Sequence, residues 1–156
     1  TASLDTENGG LQWNQIPDEQ VVSRHLDAKQ WIIPMLNDER RNQLYYEAIQ
    51  AALAKLQPDN PDDEETIHVF DLGCGTGLLG MMAAKICPAV RVTSVDMSMV
   101  CVQVATQIVT DNQLTDRITL QEGHSTQMLP LQANLCVSEL LEDGLLGEGW
   151  LPAIRE

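Results

Sequence analysis

Ile67-His-Val-Phe-Asp71-Leu-Gly73-Cys-Gly75-Thr-Gly77 is the stretch that decides the fold. Its first six residues are β-prone and stop at glycines, so they read as a buried strand. Leu78 to Ile86 then reads as a helix, closed by Cys87-Pro88. Strand, glycine loop and helix in that order make a cradle for a ligand. Lacking Cβ, the glycines allow a tight turn and a close backbone approach. Free N–H groups at the start of the helix favour anionic or polar atoms.

Downstream the strand–helix alternation continues. Val90 to Val95 is a second strand, and Ser98 caps a helix reaching about Asp111, with Val100, Val104, Ile108 and Val109 expected inward. Arg117 to Gln121 is a third strand and Ala133 to Ser138 a fourth. This order predicts a parallel, doubly wound α/β sheet whose ligands bind at the carboxyl ends of its strands. The second strand ends in Asp96, which lies 96 − 77 = 19 residues after Gly77. A carboxylate there can accept from both hydroxyls of a ribose.

The glycines are spaced G-x-G-x-G, with Leu at position 78, whereas the dinucleotide fingerprint is G-x-G-x-x-G. An acid, Asp71, stands two residues before the first glycine. That pattern resembles motif I of the class I S-adenosylmethionine-dependent methyltransferases.

Upstream, residues 1–17 are polar, contain Gly9-Gly10 and read as a loose arm. A short helix is expected over 18–33, ending before Pro34. A firmer helix runs from Asn37 to Leu56, capped by Asn37 or Asp38, with Leu44, Tyr45, Ala48, Ala52, Leu53 and Leu56 at helical spacing. The acidic run from Pro58 to Glu65 reads as a solvated linker. The expected division is an arm and short helix over 1–36 and a ligand-binding domain over 37–156.

The 156 residues carry 9 − 23 = −14 charges, which argues against a general nucleic-acid-binding surface and suits a basic peptide. Apolar residues make up 44%, enough for a core, and no apolar run approaches the roughly 20 residues of a membrane span. The first residues have neither a basic leader nor an apolar h-region, so no secretory signal is expected. The four cysteines show no zinc spacing and read as reduced thiols of a cytoplasmic or nuclear protein.

Beyond the fourth strand lies Ser138-Glu139-Leu-Leu-Glu142-Asp143-Gly-Leu-Leu-Gly147-Glu148-Gly149. Glu148 follows Glu139 by 148 − 139 = 9 residues, so a hairpin-like loop could bring both carboxylates together. Held together they repel unless a cation lies between them, and a guanidinium pairs bidentately with carboxylates. An ordinary acidic turn and a metal-binding pair are the alternatives, the metal weakened by the lack of an accompanying His.

The two glutamates after a D-x-G-x-G loop resemble the double-glutamate loop of the protein arginine methyltransferases. Leu11-Gln-Trp13, Met35-Leu-Asn-Asp38, Arg41-Asn42, Tyr45-Tyr46-x-x-Ile49, Gly77-Leu-Leu-x-Met81-Met82, His124-Ser-Thr126 and Leu146-Gly-Glu-Gly149 are also similar to segments of that family. The resemblance covers about residues 10–152. Asp96 departs from it, because many members carry Glu there. So does Trp31-Ile-Ile-Pro34, which is less polar than the matching segment of the branch it most resembles.

The resemblance implies a Rossmann-like methyltransferase fold, cut short after the fourth strand and before the family's Thr-His-Trp loop, β-barrel and dimerisation arm. It implies S-adenosylmethionine as cofactor and no metal. Arg41, which by itself reads as a solvent-facing helix residue, would pair with the cofactor's methionine carboxylate. Asp71, Gly73 and Gly75 would shape the pocket under the methionine part, and Asp96 would hold the ribose. Met97 would lie against the adenine, with His124 and Ser125 at its edge. Glu139 and Glu148 would clamp a substrate arginine and be the catalytic pair. The implied reaction is monomethylation of arginine in a protein such as a histone or an RNA-binding protein. The alternative expectation is a truncated cofactor-binding or interaction fragment without transfer activity.

Overall fold

The computed structural model describes residues 2–4, 11–13, 32–56, 66–124 and 132–140. The chain divides into two compact units, Thr1–Asn42 and Gln43–Glu156.

In the first unit, β1 (Ala2–Leu4) pairs antiparallel with β2 (Leu11–Trp13), with Ala2 opposite Trp13. The expected loose arm therefore contains a short strand pair. Helix α1 spans Ile32–Leu36 and includes Pro34, which the sequence reading had placed beyond a helix end. Pro34 is the third residue of this element, in the first turn, where a backbone N–H has no intrahelical acceptor to lose. The rest of the helix expected over 18–33 lies outside the described residues. Helix α2 (Glu39–Leu56) is capped by Asp38, whose Oδ1 accepts from the Arg41 N–H at 2.9 Å.

In the second unit, Ile49 and Leu53 of α2 are buried, with Tyr45, Ala52 and Leu56 half-buried beside them. Leu44 and Ala48, expected inward, face solvent. The buried stripe runs through 45, 49, 52, 53 and 56: it keeps four of the expected positions and adds Ile49 in place of Leu44 and Ala48.

The sheet of this unit is parallel throughout. Its strands are β3 (Ile67–Leu72), β4 (Val90–Asp96), β5 (Ile118–Glu122) and β6 (Leu135–Ser138), in the order β5-β4-β3-β6. Leu72 lies opposite Val95 on one side and Ser138 on the other. The chain winds outward from β3 through β4 to β5, then returns to place β6 on the other flank of β3. The winding reverses between β3 and β6, and ligands of such sheets bind at that point, beyond the strand ends.

Helix α3 (Leu78–Ile86) joins β3 to β4, and α4 (Met99–Asp111) joins β4 to β5. Right-handed crossovers in one direction put both on one sheet face. There they cover Val69, Val90, Val92 and Ile118 in a core shared with Leu79, Ala83, Ala84 and Val109. Along α4 the buried stripe is Cys101, Ala105 and Val109, while Val100 and Val104 are 48% and 43% exposed. The larger valines were expected inward. Small residues win because a Cβ placed on Gly77 would already meet the Ala105 Cβ at 3.5 Å.

Helix α4 ends in a Schellman motif: the Leu114 N–H reaches the Val109 carbonyl at 3.0 Å and the Gln113 N–H the Thr110 carbonyl at 2.9 Å. Gln113 holds the left-handed position, φ 58°, and Leu114 is buried behind it. No helix among the described residues is long and apolar enough to cross a membrane.

Candidate functional site

The glycine loop leaves β3 at the sheet's reversal point. Gly73, Gly75 and Gly77 have φ of 68°, 54° and 82°, a left-handed backbone that other residues adopt at a cost. The Cys74 N–H donates to the Val95 carbonyl at 2.9 Å, which stitches the loop to the end of β4. Gly77 closes the turn, donating to the Cys74 carbonyl at 2.7 Å, and caps α3.

The three glycines meet different surroundings. A Cβ on Gly73 would lie 2.6 Å from the Leu140 Cδ2. A Cβ on Gly77 would touch α4. Among the described residues, a Cβ on Gly75 would meet nothing within 4 Å. Gly75 is therefore the place where a ligand can approach the loop backbone.

Asp96 closes β4 and holds the loop. Its Oδ2 accepts from the Gly75 N–H at 2.9 Å and its Oδ1 from the Ser98 N–H at 2.8 Å. A carboxylate offers about four acceptor positions, so these two bonds do not exhaust it. Met97 follows with its side chain 72% exposed. The end of β5 is tied in by the Gly123 N–H, which donates to the Asp96 carbonyl at 3.0 Å, and exposed His124 comes next.

Asp71 lies beneath the loop, 1% exposed. Its Oδ2 accepts from the Gly80 N–H at 3.0 Å and from the Ser94 hydroxyl at 3.2 Å. Burial pushes the carboxyl up to about 7; the Gly80 and Ser94 hydrogen bonds act against this, and the Asp96 charge adds to it. Cys74 is buried beside it. Desolvation, then the Asp71 charge, raise the thiol far above its ordinary range, so it stays protonated and is a poor nucleophile.

Gly80 and Ser94 were not singled out from the sequence. A Cβ on Gly80 would meet the Ser94 Oγ at 2.7 Å and the Asp71 Oδ2 at 2.8 Å, so only glycine lets α3 approach this closely. A glycine inside a helix and a serine inside an apolar strand were the available signals.

Beyond β6, Glu139 and Leu140 are half-buried at the carboxyl edge, and the Ser138 hydroxyl donates to the Leu72 carbonyl at 3.0 Å. The structure thus gathers Asp71, Gly73, Gly75, Asp96 and the start of the acidic segment at one end of the sheet. Arg41 belongs to the first unit, where its guanidinium donates to the Asn42 Oδ1 at 3.0 Å. Ser125 and Glu148, like the acidic run from 58 to 65, lie outside the described residues. Among the described residues no group of His, Cys, Asp and Glu could hold a metal ion.

The chain is 35% identical over 156 residues to protein arginine N-methyltransferase 7 of Rattus norvegicus, covering 93% of this chain and 21% of that protein. It is 39% identical over 146 residues to the Drosophila willistoni protein of the same name, covering 90% and 20%. It therefore spans about a fifth of the length of these curated relatives. Among solved structures, the Trypanosoma brucei PRMT1 enzyme–prozyme heterotetrameric complex with AdoHcy superposes with a TM-score of 0.63 at 31% identity, over 79% of this chain and 36% of that one. The profile of the methyltransferase small domain matches residues 48–138, from mid-α2 to the end of β6 and more than half of the chain. The chain belongs to the methyltransferase small domain family.

Proposed function

We propose that the loop from Asp71 to Gly77 holds S-adenosylmethionine, and that the chain forms the cofactor-binding core of a protein arginine methyltransferase. The observation that carries this reading is the pairing of Gly75 with Asp96. The loop backbone is open at Gly75, and the carboxylate beside it keeps acceptor capacity. The likeness to arginine methyltransferases, one of them in complex with AdoHcy, supports it.

The cofactor supplies an electrophilic methyl group carried on a sulfonium. What this chain supplies is position and charge. Gly73 and Gly75 let the ligand reach the backbone. Asp96 takes the ribose hydroxyls on its remaining acceptor positions. Met97 offers an exposed apolar surface to the adenine, and His124, two residues after the end of β5, borders its edge. Asp71 supports the loop from below. Arg41, at the methionine carboxylate, and Ser125, at the adenine edge, enter the proposal from their sequence positions alone.

Glu139 leads the acidic segment, and its carboxylate holds the guanidinium of a substrate arginine, with Glu148 as its partner by sequence. Two carboxylates on one guanidinium fix its plane and concentrate electron density on one terminal nitrogen, the attacking atom. Acceleration comes from orientation and electrostatics, without a covalent enzyme intermediate. Monomethylation, histones or RNA-binding proteins as substrates, and a cytoplasmic or nuclear setting complete the proposal. Transfer of labelled methyl to an arginine-rich peptide, measured for the wild type and Glu139→Gln, tests the acceptor half. The label is expected on arginine and lost in the variant; undiminished transfer by Glu139→Gln removes the clamp.

A further inference from the structure

The parallel ladder between β3 and β6 ends at the Leu72–Ser138 pair. Beyond it one strand leads into the glycine loop and the other into the acidic segment, and among the described residues two contacts join them there. One is the hydrogen bond from the Ser138 hydroxyl to the Leu72 carbonyl, 3.0 Å long. The other is steric. The side chain of Leu140 occupies the volume that a side chain at position 73 would take. A Cβ on Gly73 would stand 2.6 Å from its Cδ2 and 3.3 Å from its Cγ.

Glu139 is the residue between these two anchors. Both of its flanking residues are thus referred to the loop backbone, one by a hydrogen bond and one by apolar packing. Gly73 has two reasons to be glycine, its φ of 68° and the room it leaves for Leu140. The second is independent of any ligand touching Gly73. A group that holds a substrate must be placed to within about 0.5 Å, which requires support from the residues around it.

We propose that Leu140 is a positioning residue that keys the acidic segment to the glycine loop, so that filling the loop with cofactor also fixes the backbone carrying Glu139. The proposal rests on the cofactor reading above and adds a mechanical link between the cofactor and acceptor sides of the site. Leu140 acts through Gly73 and touches neither reacting group.

Hydrogen exchange of the whole chain, with and without S-adenosylhomocysteine, tests it. In the wild type, ligand should slow exchange at the amides of 73–77 and of 138–140. In Leu140→Ala, the slowing at 73–77 should persist while that at 138–140 drops by about threefold or more. Leu140→Met, which keeps an apolar side chain of similar reach, should restore it, and Leu140→Val should fall between. Slow exchange in β3 and β4 serves as the check on folding, and the Met and Val variants carry the test if Ala disrupts it. Equal ligand-induced slowing at 138–140 in the wild type and Leu140→Ala overturns the proposal. So does slowing confined to 73–77 in the wild type, which leaves the cofactor reading standing. No slowing at 73–77 in the wild type removes the cofactor reading and the link together.

Discussion

The Asp96 carboxylate accepts a 2.9 Å hydrogen bond from the Gly75 N–H. This contact joins the end of β4 to the tip of a loop that starts from β3, across the sheet's central strand pair. With the second bond, from the Ser98 N–H, it gives Asp96 a structural duty beside the ligand-holding one proposed for it. The loop is held in a left-handed backbone before any ligand arrives, so less ordering is left for binding to offset.

Gly75→Ala separates these duties. Its Cβ would meet none of the described residues, so the cost to folding among them is the left-handed φ alone, about 1–2 kcal/mol. The same Cβ would project where ligand is expected against the backbone. Affinity of the folded protein for S-adenosylhomocysteine should fall by about tenfold or more, while the urea midpoint drops by no more than that backbone cost accounts for. Undiminished affinity would place the ligand elsewhere.

Gly80→Ala should act oppositely. Alanine favours helices over glycine by about 1 kcal/mol, yet this Cβ would press on the Ser94 Oγ and the Asp71 Oδ2 and come within 3.1 Å of the Val92 Cγ1. Overpacking should dominate, with a net loss of about 1–3 kcal/mol in urea unfolding. A gain in stability would show that α3 can lift from the sheet without cost.

Asp71 predicts a pH dependence. Its carboxyl titrates at about 7 in the folded chain against 3.8 for an unperturbed one, mainly because burial disfavours the charge. The folded state therefore binds more protons than the unfolded state between those values, and stability falls as pH rises through them. The slope approaches about 1.4 kcal/mol per pH unit inside the window, on the order of 4 kcal/mol in all. Asp71→Asn, which keeps an acceptor for the Gly80 N–H, should remove the slope. Its stability relative to wild type should rise from pH 4 to pH 7 and level off above. Parallel profiles for the two proteins would contradict the assignment.

Gln113→Gly should stabilise the chain by about 1 kcal/mol, because glycine occupies the left-handed position of a Schellman motif without the Cβ penalty. The Gln113 side chain is exposed, so little packing is lost. An unchanged or lowered thermal midpoint would count against this account of the α4 terminus.

Strands β3 and β4 were legible because each is a short apolar run with a clear stop, glycines after Leu72 and an acid at Asp96, whereas β6 begins at Leu135, two residues after the expected start at Ala133. The bounds of β3 and α3 agree with the sequence reading to the residue. Helix faces were less legible. From Met99 to Ala105 every position of α4 but Gln103 is apolar, so hydrophobicity could not choose among Val100, Cys101, Val104 and Ala105. Helix–sheet spacing chose the smaller pair.

In the site, Asp96 was legible from its distance to the glycines, but its two backbone donors were not, since they depend on loop geometry. The Asp71–Gly80–Ser94 group was hidden because its members lie on three elements and each is unremarkable alone. Leu140 was read only as part of an acidic loop. Its role emerges from the absence of a side chain at Gly73, which no local pattern encodes.

The central claim is that the glycine loop and Asp96 bind S-adenosylmethionine or its demethylated product. Calorimetric titration with S-adenosylhomocysteine, run on the wild type and on Asp96→Ala, tests it most directly. The account predicts saturable one-to-one binding by the wild type and a loss of affinity of about tenfold or more in the variant, the equivalent of about 1.4 kcal/mol or more. No binding heat with the folded wild type, or equal affinity in the two proteins, would contradict it.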